Sequence, residues 1–356
     1  MSKTAIVLLN LGGPDSPNAI KPFLFNFFMD PNIIRLPLMF RYFLARWIAY
    51  SRNKKEAGES YAELGGSSPL LTNSKAQAKA LEKHLKTLDA KNKYKTFIAM
   101  RYWHPLSPQV VREVRDWGAD KIILLPLYPQ YSTTTTRSSF QVWMQAAHEA
   151  GLDIPTRLIC CYPWEDGFIK ASAAHVKSLY EKAYKETGRK PRILFSAHGL
   201  PESIVKDGDP YQWQCEQTAE KIVDEIKLKD LDWHVCYQSK VGPKKWLEPS
   251  TEDSIKRAAA DGVPVVILPH AFTQEHVETL VELDVEYRHV AEEAGITGYY
   301  RAATPGVEEH FIKGLAGLVL EREKEAHPDI APQGGKRLCP KDFGQCCMQE
   351  YTKAHF

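Results

Sequence analysis

Ile6–Ser16 reads IVLLNLGGPDS, and Ile193–Ser203 reads ILFSAHGLPES. The two stretches match in place: Ile6 with Ile193, Gly12 with Gly199, Pro14 with Pro201, Asp15 with Glu202, Ser16 with Ser203. Each is a short apolar run that breaks into Gly, Pro and an acid–Ser pair. That is the pattern of a buried strand emptying into a loop at its C-terminal end. Open α/β sheets place their ligand sites at such ends. Leu11 in the first copy stands where the second copy has His198. The repeat thus matches a titratable imidazole with an apolar side chain, and both become candidates for an active cleft.

Working outward, strand-like runs at Ala5–Leu11, Phe97–Tyr102, Lys121–Leu127, Arg157–Cys161, Arg192–Ala197, His234–Gln238, Val263–Leu268 and Thr297–Ala302 alternate with helical patterns. Among these helices are Ser74–Leu88, Phe168–Thr187, Tyr211–Leu228 and Thr279–Ala294. Such alternation predicts an α/β fold of two Rossmann-like domains, each a four-stranded parallel sheet flanked by helices and related by internal duplication. A second landmark repeats as IILLP at Ile122–Pro126 and VVILP at Val265–Pro269. On that duplication the first copy carries about 44 extra residues between its landmarks. The expected division is a first domain over 1–165 with an apolar insert near 20–55, a second over 166–306, and a C-terminal extension over 325–356. The helix near 307–324 is expected to pack back on the first domain.

The insert is rich in Phe, Leu, Met and Trp, with Arg35, Arg41, Arg46 and Arg52 at near-helical spacing. It reads either as a helical hairpin on the core or as an amphipathic lip that touches a bilayer surface or a flat apolar ligand. The net charge of +2 gives no global pull toward nucleic acid. The start MSKTAIVLLNLGG has no signal-peptide layout, and no apolar run reaches membrane-spanning length, so a cytoplasmic protein is expected. No GxGxxG, Walker loop or Gly-x-Ser-x-Gly elbow is present, which argues against dinucleotide, nucleotide and serine-hydrolase chemistry.

After Pro269 the chain reads HAFTQEHVETLVELDVEY. Glu278, Glu282 and Glu286 fall at i, i+4 and i+8, on one face of a helix, with Glu275 and His276 at the head of the row. Three carboxylates on one face repel unless something positive passes along them. The alternative is a solvated acidic face. The apolar Val277, Leu280, Val281 and Leu283 around the row favour a track for cations or protons near His198.

LLNLGGP, YAELGGSSPL, RYWHP, LYPQYS, FSAHGLP, GDPY, YQSKVGPKKWLEP and FTQEHVETLVELDVEY together resemble the ferrochelatase family over roughly Thr4–Leu320. The resemblance implies two Rossmann-like domains around a porphyrin cleft. It implies insertion of ferrous iron into protoporphyrin IX with release of two protons, a lyase reaction of heme biosynthesis. By the same resemblance His198 matches the active-site histidine and Glu278 its partner, together the site for Fe²⁺. His276, Glu282 and Glu286 match the rest of the acidic path, with Glu275 in place of the more usual Asp. Leu11 matches an apolar residue on the opposite face of the macrocycle, and Tyr61, Ser68 and Tyr102 match residues that line the pocket or hold propionates. Arg52 matches one of a basic pair whose other position is Ser51 here. Tyr128, Trp246 and Phe272, at or beside strand ends, complete the expected porphyrin contacts. A peripheral contact with the inner membrane fits the lip, and a homodimer is compatible.

Seven cysteines do not suggest a disulfide scaffold. Cys339, Cys346 and Cys347 crowd a tail with little to bury, and Cys160 or Cys161 could supply a fourth thiolate, enough for a [2Fe–2S] cluster. Some relatives carry such a cluster with three tail ligands and one upstream; Cys161 is the better match for the upstream ligand. Adjacent strand residues face opposite ways, so one of the two is expected to bind. Structural zinc and free thiols remain open. Another tetrapyrrole chelatase, for cobalt or nickel, or a non-catalytic tetrapyrrole-binding protein are the alternative functions.

Overall fold

The computed structural model describes residues 2–54, 56–324 and 329–350. Residue 55 of the expected insert, and 325–328 and 351–356 of the expected extension, lie outside the described residues. The chain divides into two compact units, Met1–Cys161 with Leu315–Arg337, and Tyr162–Gly314 with Leu338–Phe356.

In unit one, β1 (Lys3–Asn10), β2 (Lys93–Met100), β3 (Lys121–Pro126) and β4 (Thr156–Ile159) form a parallel sheet in the order β2-β1-β3-β4. In unit two, β5 (Arg192–His198), β6 (Asp232–Gln238), β7 (Val265–Leu268) and β8 (Tyr299–Arg301) repeat that order as β6-β5-β7-β8. Ile6 and Ile193 fall on the equivalent central strands β1 and β5. Residues Thr4–Asn10 of β1 are buried without alternation, as parallel strands covered on both faces must be. The strand order reverses at β1 and at β5, so the loops after them open at the topological switch points.

The two-domain α/β expectation holds, with one addition. The first sheet has a fifth strand, β9 (Ile330–Ala331), paired through Leu158↔Ile330 and Ile159↔Ala331. The tail there reads as non-periodic, but two residues are too few to show a period, and both are buried.

The insert forms helices Ile20–Phe28, Leu38–Lys54 and Glu56–Glu63. Helix Leu38–Lys54 buries the small Ala45 and Ala49. Met39, Phe43, Trp47 and Tyr50, spaced along another face, are 50–70% exposed, and Leu38 and Phe40 are also exposed.

The expected single helix Thr279–Ala294 is three pieces: an α-turn Val277–Leu280, a π-turn Glu282–Glu286 and a helix Tyr287–Glu293. Unit one has a π-turn at the corresponding place after β3, Thr133–Arg137. Such wide turns are held by tertiary contacts rather than by local preference.

Candidate active site

His198 is the last residue of β5 and pairs in register with Gln238, the last of β6. Its Nδ1 lies 2.9 Å from Glu278 Oε2, with the imidazole 33% and the carboxylate 26% exposed. Burial acts to depress the imidazole pKa, but the charge and hydrogen bond of Glu278, with Glu282 behind it, outweigh burial and raise it. Burial acts to raise Glu278, and the His198 charge and hydrogen bond hold its carboxyl below the usual range. The pair is thus an ion pair when His198 is protonated. When His198 is neutral, Nδ1–H donates to Glu278 and the Nε2 lone pair faces away. Trp246 meets the imidazole edge-on at 6.4 Å and passes over Gly199, where a Cβ would lie 3.0 Å from the indole and 2.9 Å from the Gln238 carbonyl. Only a glycine lets that wall close on the histidine.

Glu282, first residue of the π-turn, accepts four hydrogen bonds. Ser239 gives its N–H at 2.7 Å and its hydroxyl at 2.5 Å, Gln238 Nε2 donates at 2.9 Å and Tyr287 at 3.0 Å. Ser239 has φ +64°, a left-handed conformation uncommon for a non-glycine, and from it both its donors reach one carboxylate. Burial and the neighbouring Glu278 charge raise the Glu282 pKa despite these donors. Gln238 also donates to the Glu278 carbonyl at 2.9 Å and accepts from Ser196, so β5 and β6 together fix both acids. Glu286, at the far end of the π-turn, is exposed.

The structure gives two members of the expected row other partners. His276 caps the short helix: its Nδ1 accepts from the Glu278 N–H at 3.1 Å, and burial lowers its pKa. Phe272 packs edge-on against it at 4.7 Å. Glu275 Oε1 accepts from Arg301 at 2.7 Å and from Thr304 N–H at 2.8 Å. Burial acts to raise its pKa, and Arg301 with these donors reverses that.

In unit one, Leu11 follows β1 and its carbonyl accepts from Tyr102 N–H at 2.9 Å. Ser68 N–H donates to the Pro14 carbonyl at 2.7 Å, and Gly13 packs so closely on Ser68 that a Cβ there would come within 2.5 Å. Leu11, Ser68 and Tyr102 therefore gather around one loop. Tyr61 is buried on helix Glu56–Glu63. Arg52 stacks over Phe28 at 5.9 Å, and the Ser51 hydroxyl is spent on the Ile48 carbonyl. Tyr128 carries its hydroxyl in the interior, and burial raises its pKa.

Sequence reading missed Asp30. Its carboxylate, fully buried, accepts from Tyr102 OH at 2.7 Å, from Arg101 at 2.9 Å and from Ser138. The Tyr102 hydroxyl is therefore committed to Asp30. FMDPN offers no signal for this, because the partners lie far along the chain.

In unit one Cys161 is buried and outside any disulfide, and Cys160 is disulfide-bonded. In unit two Cys339 and Cys346 are buried and outside any disulfide, and Cys347 is disulfide-bonded. Gln214 Nε2 donates to Cys339 Sγ at 3.2 Å, both groups buried. Among the described residues no three His, Cys, Asp or Glu side chains converge to hold a metal.

Twice the same parallel sheet, with an imidazole–carboxylate pair at one strand end and further acids behind it, defines a chelatase-like α/β protein. The fold agrees with SirB from Bacillus subtilis with Fe3+, at a TM-score of 0.51 and 14% identity over 90% of this chain and 95% of that one. A family model described as Ferrochelatase matches residues 3–323. Curated ferrochelatases of Wolbachia sp. subsp. Brugia malayi (strain TRS) and Caulobacter vibrioides (strain NA1000 / CB15N) are 48% and 46% identical, covering 89% and 99% of this chain and 99% of each relative. The chain belongs to the ferrochelatase family.

Proposed function

We infer that this chain inserts ferrous iron into protoporphyrin IX, giving protoheme and two protons, a lyase reaction late in heme biosynthesis. The observation that carries the reading is the His198–Glu278 pair, set by β5 at a switch point in a chain of this family. Metal enters a tetrapyrrole only when two pyrrole N–H protons leave. Glu278 fixes the tautomer of neutral His198, so Nε2 is the atom that takes a pyrrole proton or first holds the cation. Glu282, with its raised pKa, exchanges protons with Glu278, and the exposed Glu286 passes them to bulk water. Leu11, Arg52, Tyr61, Ser68, Tyr102, Tyr128, Trp246 and Phe272 are the residues assigned to the porphyrin. Anaerobic mixing with Fe²⁺ and protoporphyrin tests this through loss of the free-base spectrum. Binding without insertion would leave a tetrapyrrole carrier. Insertion of cobalt or nickel but not iron would leave another chelatase.

The exposed face of helix Leu38–Lys54 supports a cytoplasmic protein held peripherally on the inner membrane, because apolar side chains flanked by Arg46 suit the headgroup boundary. Among the described residues no helix is long and apolar enough to cross a membrane.

A [2Fe–2S] cluster on Cys339, Cys346, Cys347 and one of Cys160 and Cys161 is supported by the burial of these cysteines and by the Gln214 donor aimed at Cys339 Sγ. Cys160 and Cys347, which are disulfide-bonded, must first be reduced to thiolates for this.

A further inference from the structure

One guanidinium holds both ends of the segment that carries the site acids. Arg301, at the end of β8, donates through Nη1 to Glu275 at 2.7 Å. Through Nε, at 3.0 Å, and Nη2, at 2.5 Å, it grips the Asp284 carboxylate. Its side chain is only 12% exposed. Glu275 immediately precedes His276, and Asp284 lies inside the π-turn two residues after Glu282. Neighbouring bonds act alongside it: Tyr299 OH donates to the Leu283 carbonyl at 2.7 Å, and Thr304 N–H to Glu275 at 2.8 Å. Arg288 approaches the same Asp284 at 3.7 Å but is 41% exposed.

We propose that Arg301 is a positioning residue for metal insertion. By clamping Glu275 and Asp284 it retains the π-turn and leaves Glu278 and Glu282 as the acids that face His198. It follows that Glu275 belongs to the clamp and not to the proton or metal path. The chemistry supports the division. A buried guanidinium paired bidentately stays charged and rigid, and a carboxylate bonded to it has no reason to exchange protons near neutrality. The wide turn has weak local preference of its own, so a fixed external anchor sets its register.

The inference rests on His198 and Glu278 as the reacting pair. Full-length Arg301→Gln is assayed with Fe²⁺ and protoporphyrin. Removing a residue that orients the groups around a metal typically costs about 10- to 100-fold. We expect a loss of that size in kcat, with the porphyrin KM within about 2-fold, and faster hydrogen exchange across 277–286. Arg301→Lys, which can reach one acid but not both, falls between. Adding Asp284→Asn to Arg301→Gln removes an acid left with only the distant, exposed Arg288, so the melting temperature recovers while kcat does not. Glu275→Gln, which keeps an oxygen for Arg301 and Thr304 but loses the charge, lowers kcat by less than Arg301→Gln does and leaves the acid limb of the pH profile where it is in wild type. Arg301→Gln at full kcat, joint recovery of stability and kcat in the double variant, or Glu275→Gln as damaging as Glu278→Gln would each overturn the proposal. If Arg301→Gln does not fold, the Arg301→Lys and Glu275→Gln results decide it. Turnover by His198→Ala would instead overturn the reading of the reacting pair beneath it.

Discussion

Replacing Glu278 by Gln removes a charge from His198 while leaving an oxygen to accept the Nδ1–H bond. Charge centres roughly 4 Å apart interact by about 1 kcal/mol in water and about 4 at the effective dielectric of a protein surface. With His198 33% and Glu278 26% exposed, the pair lies between these limits. An interaction between these limits is large enough to move the His198 titration measurably. The direction follows from the causes of the shift. Glu278 raises the His198 pKa against burial, so its removal lets burial pull the value down. The acid limb of kcat/KM, where His198 takes its proton from solvent, should therefore move to lower pH. The plateau should fall about 100-fold, because the amide cannot carry protons onward. Ring-proton NMR of His198 should follow the same shift without turnover. Stability gives a third readout. A raised histidine pKa contributes stability that is full below the unfolded value of about 6.5 and is lost as pH rises through the folded value. The variant should lose that contribution, so its melting temperature should drop more at pH 5.5 than at pH 8. An acid limb that stays in place, or moves upward, would refute the coupling between the two side chains.

His198→Ala should abolish insertion while porphyrin still quenches intrinsic fluorescence on binding; near-normal turnover would remove His198 from the chemistry. Phe40→Ser, Phe43→Ser and Trp47→Ser together should weaken liposome partition, each by about 10-fold or less, since each side chain is about two-thirds exposed and would bury only part of its area. Unchanged partition, with a shift in sedimentation instead, would assign that face to a second copy. Protein purified anaerobically under reducing conditions should be reddish-brown with about two irons and two sulfides per chain. One of Cys160→Ser and Cys161→Ser should bleach it, whereas colourless protein carrying stoichiometric zinc would leave a clip without a cluster. Gly199→Ala should lower kcat by pushing Trp246 off the imidazole, and a crystal structure with the indole unmoved would contradict that cause.

The paired strand ends were readable because each combines a buried apolar run with Gly and Pro, signals that act locally. Leu11 and His198 were found by comparing one copy with the other. Glu278, Glu282 and Glu286, with Glu275 at their head, were visible as a row, but their division of labour was not. Which acid meets His198, which is saturated by Ser239 and Gln238, and which is taken by Arg301 depends on residues on other strands. The break of the helix at Glu282 has the same origin, because the apolar spacing there suits an α-helix and tertiary bonds override it. Asp30 gave no local signal, since its partners Arg101 and Ser138 lie more than seventy positions further along the chain.

Unit one takes β9 and the segment Leu315–Arg337 from chain that follows the main body of unit two. Glu323 in that segment hydrogen-bonds Thr4 and pairs with Lys121, tying β1 and β3 to it. On the ribosome, where N-terminal parts emerge first, the first sheet must wait with β4 as an uncovered edge while Tyr162–Gly314 is made. Unit two in turn takes its last piece from Leu338 onward, so neither body is complete until the end of the chain has emerged. An open parallel edge in a nascent chain is a template for wrong pairing. Chaperone dependence and low-temperature expression should therefore respond to changes near Ile330 more than to changes of equal size in β5.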